Sequence, residues 1–267
     1  MVDIHLHTEI SHDSSEPAEN YVKAALAAGD SVLGFAEHYD YDEFLDGGNS
    51  PLSDIPEYDK RISALRKAFH ELKILQGVEL GYSEAALPHY KELLKAHPFD
   101  CVILSVHALH GRGDCYYPAF FKGLDKPRAY SAYLEAVLAS VNSGLDYNVI
   151  AHIGYVARYA PYPDRALRYS DFPALFDEIF KSIIRLDKCL EINTSAKGTG
   201  EQTVPPADVL ERYISLGGRN FSFGSDSHTA ARYKENEAAV KKFLLEHGIT
   251  ETCHFESGKC VRSQIFL

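Results

Sequence analysis

Seven short runs of β-type residues punctuate this chain: Val2–His5, Val32–Ala36, Lys73–Glu79, Cys101–Val106, Asn148–His152, Lys188–Asn193 and Asn220–Gly224. Several are apolar almost throughout. A strand that is apolar at consecutive positions is one buried on both faces, as in a parallel sheet covered by helices. The intervening stretches have helical spacing. Pro17–Ala28 opens with proline in its first turn and stops before Gly29, as helix starts and stops prefer. Pro56–Glu71 leads Ile62, Leu65, Phe69 and Leu72 along one face at spacings of three and four. Pro127–Ser143, Asp171–Leu186, Pro205–Leu216 and Ala230–His247 repeat the pattern. Strands alternating with helices predict an α/β fold. Seven such units fit a barrel one short of the usual eight, an open sheet being compatible with the same periodicity, and one domain over residues 1–267 is the economical reading.

Composition narrows the function. At 267 residues the chain can bury a sizeable core without disulfide staples. It contains no apolar run near the roughly 20 residues of a membrane helix. Asp3 and His5 follow Met1 almost at once, where a signal peptide would be basic and then apolar. The formal charge is −11, against the basic footprint that nucleic-acid binding requires. Five cysteines without a CxxC pair read as free thiols in a reducing cytosol. A cytoplasmic protein without nucleic-acid or membrane partners is expected.

The thirteen histidines matter by position. His5 and His7 end the first run, and alternate strand residues face one side, so both imidazoles can meet one ion. Taken alone, an HxH pair is weak, and a buried histidine is more often a satisfied core residue. The other runs repeat the chemistry: Glu37-His38, Glu79, His107, His152, and then Asp226 and His228. In parallel barrels functional groups gather at the C-terminal ends of the strands. Six of seven runs ending in ligand-type residues argue for one shared metal site.

These blocks carry a family resemblance. Asp3-Ile-His-Leu-His-Thr-Glu-Ile-Ser-His-Asp13, Glu37-His38, Gly77-Val-Glu-Leu-Gly81, Ser105-Val-His107, Ala151-His-Ile-Gly154, Leu190-Glu-Ile-Asn-Thr-Ser195 and Gly224-Ser-Asp-Ser-His228 span nearly the whole chain. They resemble the polymerase and histidinol phosphatase (PHP) superfamily of metal-dependent phosphoesterases, and within it the monofunctional histidinol-phosphate phosphatases. The resemblance implies a distorted (β/α)7 barrel whose metal site lies at the C-terminal ends of the strands. It implies three divalent ions, zinc, iron or manganese, which imidazole and carboxylate suit. His5, His7, Glu79 and Asp226 would hold one ion. Glu79 would bridge to a second, completed by His107 and His152. Asp13, His38 and His228 would hold the third, with His12 the competitor to Asp13. Three divalent ions against three carboxylates leave a positive pocket that attracts a phosphate dianion, and bound metal supplies hydroxide at neutral pH.

The implied reaction is hydrolysis of a phosphate monoester, L-histidinol phosphate above all, by attack of a metal-bound hydroxide. It releases inorganic phosphate and belongs to histidine biosynthesis. Glu79, Asp226 and His228 are the candidate catalytic residues, the last two as acids for the leaving alkoxide. Arg158 and Lys197 are candidate phosphate ligands, the arginine through its bidentate fork and the lysine as a point charge. Glu37 and Glu191 are expected to hydrogen-bond ligand histidines. Tyr39, Tyr41 and Asp42 read as a surface loop or as contacts to an imidazole or amine. Two departures from relatives stand out. Gly154-Tyr155 replaces an acidic residue after the fifth-strand histidine, and the loop Leu109–Lys126 is rich in Gly and Tyr.

Other readings weigh less. Another PHP phosphoesterase, acting on a nucleotide or sugar phosphate, would share the metal centre. A non-phosphate metal hydrolase is disfavoured by Arg158 and Lys197, and a non-catalytic metal-binding module by the complete ligand set. No GxGxxG follows the first strand, and P-loop and GxSxG motifs are absent, which disfavours Rossmann, nucleotide-phosphate and serine-triad chemistries.

Overall fold

The computed structural model describes residues 1–40, 54–196 and 201–266. Its strands are β1 (Val32–Tyr39), β2 (Lys73–Gly81), β3 (Cys101–Ser105), β4 (Ala108–Leu109), β5 (Gly113–Asp114), β6 (Val149–Ile150), β7 (Cys189–Asn193), β8 (Phe221–Gly224), β9 (Glu251–Glu256) and β10 (Lys259–Gln264). Six of them form one parallel sheet in the order β1-β2-β3-β6-β7-β8. Helices link successive strands, as parallel pairing demands.

Residues 3–7 close the sheet into a barrel. The amides of Gly34 and Ala36 in β1 donate to the carbonyls of Asp3 and Leu6, each at 2.9 Å. On the other side the Ile4 amide donates to Phe223 O at 3.3 Å and the His7 amide to Ser227 O at 3.0 Å. This first segment is not the regular strand expected over Val2–His5. Its acceptor carbonyls are three residues apart, while their donors in β1 are two apart. The extra residue is a bulge, a device that re-aims side chains. Ile4 consequently packs inside the barrel and Leu6 packs outward against the helices, while His5 and His7 both reach the mouth.

Inside and outside alternate along each strand. In β2, Leu75 and Glu79 point inward, while Ile74, Val78 and Leu80 meet the helical layer. Ile4, Ala36, Leu75, Ile103, Val149 and Cys189 fill the lower barrel. The hairpin β9–β10 plugs that end with Cys253 and Phe255. The sequence pattern did not announce this hairpin or the helix Leu87–Ala96. All five cysteines are free, with Cys260 exposed and the rest buried. Among the described residues no helix is long and apolar enough to cross a membrane.

The helices start where local chemistry directs. Asp54 and Asp125 accept from the amides of Glu57 (2.8 Å) and Arg128 (3.1 Å), capping helices Ile55–Ala68 and Lys126–Val141. Proline occupies the first turn of both. The stretch Ala230–His247, expected as one helix, is a 3₁₀ turn at Ala230–Arg232 followed by helix Glu237–Glu246. The left-handed Lys234 and Asn236 between them break it.

Candidate metal centre

Glu79 is the hub of the barrel mouth. Its Oε2 lies 3.2 Å from His5 Nε2, 3.5 Å from His7 Nε2 and 3.0 Å from His38 Nδ1. Its Oε1 lies 3.2 Å from His107 Nε2 and 2.8 Å from His152 Nε2, and accepts from Ser105 Oγ. Parallel pairing explains the convergence, because β2 stands between β1, which carries His38, and β3, which leads to His107. His38 and Glu79 are direct register partners. Asp226 Oδ1 lies 3.4 Å from His7 Nε2. Asp13 Oδ2 lies 2.8 Å from His228 Nε2 and 3.6 Å from His38 Nε2. Asp13 therefore faces both histidines, whereas the neighbouring His12 meets His38 at a ring distance of 5.4 Å.

The donor set fits divalent cations. Four groups of donors are close enough to share an ion: His5–His7–Asp226, His5–Glu79–His152, His38–Glu79–His107 and His7–His38–His228. Nε2 of His5 and His7, Nδ1 of His38 and Oε2 of Glu79 are buried without a hydrogen-bond partner among the described residues. Buried polar atoms normally find partners, and four bare ones around one point fit a bound cation. Backbone strain falls here too. His152 (φ 26°) and Asp226 (φ 50°) adopt the left-handed region at the ends of their strands, a conformation that clusters at functional sites.

A second layer of carboxylates sets the imidazole tautomers. Glu191 Oε1 accepts from His5 Nδ1 at 2.5 Å, leaving Nε2 to face the centre. Asp40 Oδ1 does the same for His107 Nδ1 at 3.1 Å. Glu37 differs from expectation, because it reaches no histidine directly. Its Oε2 accepts from Ser11 Oγ at 2.6 Å, and Ser11 Oγ in turn lies 3.2 Å from His7 Nδ1. The Ser11 hydroxyl proton is committed to Glu37, so its oxygen accepts from His7 Nδ1. The pKa shifts follow. Burial, with His38 and His228 nearby, lowers His7 to about 3, and burial also lowers His152. Both rings are neutral and offer lone pairs. Burial opposes a charge on His38, but Glu79, Asp13 and Asp40 raise it to about 9. Burial opposes ionisation of Glu79, yet His5, His38 and His107 hold its carboxyl well below the usual range.

Arg158, on the short helix Tyr155–Tyr159, is buried in the cavity wall. It donates from one guanidinium nitrogen to Asp226 Oδ2 at 3.0 Å and from the other to Asn193 Oδ1 at 2.9 Å. Lys197, Tyr41 and Asp42 lie outside the described residues. Tyr39 does not face the cavity, since its hydroxyl meets His89 Nε2 at 2.6 Å within the layer beneath the helices. Asp40, which the motif reading passed over, is the residue that turns in. A signal existed: Asp40 lies two residues beyond His38, and a Cβ at the glycine Gly81 would overlap its carboxylate. The cavity above the centre measures about 460 Å³ and includes Asp114, Tyr155 and Ser195.

Barrel, bulge and carboxylate hub together define a metal-dependent hydrolase of the barrel type. Residues 3–195 match the family model of the PHP domain, and the chain belongs to that family. It is 33% identical to the histidinol-phosphatase of Lactococcus lactis over 97% of this chain and 95% of that one. It is 31% identical to a probable histidinol-phosphatase of Clostridium acetobutylicum over 96% and 95%. The crystal structure of the Lactococcus lactis histidinol phosphate phosphatase, complexed with zinc, L-histidinol and phosphate, superposes with a TM-score of 0.89 at 31% identity, covering 97% of this chain and 98% of that one.

Proposed function

We propose that this chain, acting as one domain, is a phosphatase that hydrolyses L-histidinol phosphate to L-histidinol and inorganic phosphate in the cytoplasm, as a step of histidine biosynthesis. The observation that carries the reading is the Glu79 carboxylate, with five imidazoles within 3.5 Å of its two oxygens. That geometry suits a carboxylate bridging two cations. The full-length likeness to a phosphatase that binds zinc, L-histidinol and phosphate supports the substrate.

Three divalent ions, zinc, iron or manganese, would be held by His5, His7, Glu79 and Asp226, by Glu79, His107 and His152, and by Asp13, His38 and His228. Bound there, they supply positive charge and an acidified water. The protein's own side chains do the rest. Arg158 faces the cavity beside Asp226 and steadies the phosphoryl oxygens as charge builds on them, joined by Lys197. Burial opposes charge on Asp226, but Arg158 keeps it ionised, well below the usual carboxylate range. Asp226 is therefore held as an acceptor, and His228 is the remaining candidate acid for the leaving alkoxide in a state in which it does not ligate the third ion.

The test is phosphate release from L-histidinol phosphate by protein loaded separately with Zn²⁺, Mn²⁺ and Fe²⁺, beside a panel of sugar and nucleotide phosphates. The expected kcat/KM is about 10⁴ M⁻¹s⁻¹ or more, well above the panel. A peak on another ester would discard the substrate and keep the reaction class. No release with any ion would overturn both.

A further inference from the structure

Two of the ligand-type residues stand in strained backbone. His152 follows β6 with φ at 26°, and Asp226 follows β8 with φ at 50°. Gly154, two residues past His152, has φ at 133°. Such conformations persist only where the surroundings over-determine them. Each of the two turns is met from the helical layer by a buried tyrosine hydroxyl.

Tyr133, on helix Lys126–Val141, is buried. Its hydroxyl donates to His152 O at 3.3 Å and accepts from the amides of Gly154 at 3.2 Å and Tyr155 at 3.3 Å. Among the described residues the Gly154 amide has no backbone acceptor. One oxygen therefore serves both sides of the turn. It fixes the His152 carbonyl, and it satisfies the amides at the start of the short helix that carries Arg158. Tyr21, on helix Ala18–Ala27, is buried as well. Its hydroxyl donates to Ser227 O at 2.7 Å, the carbonyl that also accepts from the His7 amide at 3.0 Å. Ser227 stands between Asp226 and His228, so this one carbonyl joins His7 to both. Burial pushes the two hydroxyls up, and each keeps its proton as a donor.

We propose that Tyr133 and Tyr21 are positioning residues, whose hydroxyls hold His152 with Arg158, and Asp226 with His7 and His228, at the barrel mouth. The part given to Arg158 rests on the phosphatase reading. The hold on His7, His152 and Asp226 rests on the metal centre alone. A strained residue whose carbonyl is released relaxes toward an ordinary φ, and its side chain swings away from the shared point with it. The outer helices thus set the ligand geometry through two oxygen atoms that never enter the cavity.

The experiment compares Tyr133→Phe, Tyr21→Phe and Tyr147→Phe, each of which keeps its ring. Tyr147 is the control: it is equally buried, and its hydroxyl donates at 3.0 Å to Val141 O, at the C-terminal end of helix Lys126–Val141. All three variants should melt about 2–4 °C lower or more, each having lost a buried hydroxyl. Affinity for Zn²⁺, measured by competition with a chelator, should fall about 10- to 100-fold in Tyr133→Phe and Tyr21→Phe and hold in Tyr147→Phe. Tyr133→Phe should also raise the KM for L-histidinol phosphate about 3-fold or more at saturating Zn²⁺, by partial loss of the Arg158 contact. A variant that melts lower yet matches Tyr147→Phe in Zn²⁺ affinity would reduce its hydroxyl to packing and overturn its assignment. A KM unmoved while Zn²⁺ affinity falls would overturn the hold on Arg158. Zn²⁺ affinity needs no turnover, so a wild type that releases phosphate from no ester would remove the phosphatase reading and leave the ligand hold to be decided by the chelator. Hydrogen exchange of the wild type needs no variant. The amides of Gly154 and Tyr155 should exchange at least about 100-fold more slowly than unstructured amides, and unprotected exchange would overturn the role of Tyr133.

Discussion

Glu191 Oε1 lies 2.5 Å from Nδ1 of His5, and the same carboxylate accepts from the His152 amide at 3.0 Å and from Asn193 Nδ2 at 3.0 Å. One side chain of β7 thus orients an imidazole from the first segment and anchors the strained turn that carries another. Replacing Glu191 by Gln keeps the size and removes the charge that fixes the His5 tautomer. Metal affinity, measured by competition with a chelator, should fall about 10- to 100-fold. Unaltered affinity would reduce Glu191 to packing.

Gly224 makes that contact possible. A Cβ there would overlap Glu191 Oε1 and come within 2.7 Å of His5 Cβ. Gly224→Ala should cost about 1–3 kcal/mol of stability by overpacking and lower metal content at the same time. Denaturant unfolding and elemental analysis read the two effects, and a stable, fully loaded variant would contradict the packing.

Asp3 holds the bulge. Its Oδ1 accepts from the amides of His5 at 3.3 Å and Ser225 at 3.1 Å, joining the two segments that carry His5, His7, Asp226 and His228. Asp3→Ala strands both buried amides, at about 1–3 kcal/mol each. Thermal and denaturant melts should show that loss, with weaker metal binding; a loss confined to stability would mean that the bulge holds without Asp3.

Arg158→Met removes the guanidinium from a wall it shares with Asp226 and Asn193. The KM for the phosphate ester should rise about 10-fold or more, by loss of a charge-assisted contact. Metal content should hold. If metal is lost with KM unmoved, Arg158 serves the ligand shell and not the substrate.

Removing the metals should make stability fall as pH rises. Burial opposes charge on His5, His38 and His107, but Glu191, Glu79, Asp40 and Asp13 hold all three above the ordinary histidine value, His38 to about 9. A group raised on folding contributes fully below its unfolded pKa of about 6.5 and loses that contribution as pH climbs through its folded one. His7 and His152, lowered on folding, have reached their full contribution above that point. The melting temperature of chelator-stripped protein should therefore decline between about pH 6.5 and 9, while loaded protein stays nearly flat because ions replace the protons. Parallel slopes would show that these histidines carry no charge in the stripped state.

Ligand types at six strand ends and the alternation of apolar strands with helical stretches were legible in the chain itself. Period and residue chemistry survive in one dimension, which is why the α/β class and the recurrence of ligand residues at His5, His7, His38, Glu79, His107, His152, Asp226 and His228 needed no coordinates, while the closed barrel followed only from the family resemblance. Tertiary structure decided the rest. The bulge in residues 3–7 depends on which carbonyls β1 selects, a pairing that no local pattern records. Glu37 reaches His7 through Ser11, and Asp40, not Tyr39, enters the site opposite a glycine. Each of these depends on which residues distant in sequence face one another across the barrel, and that is settled when the sheet closes.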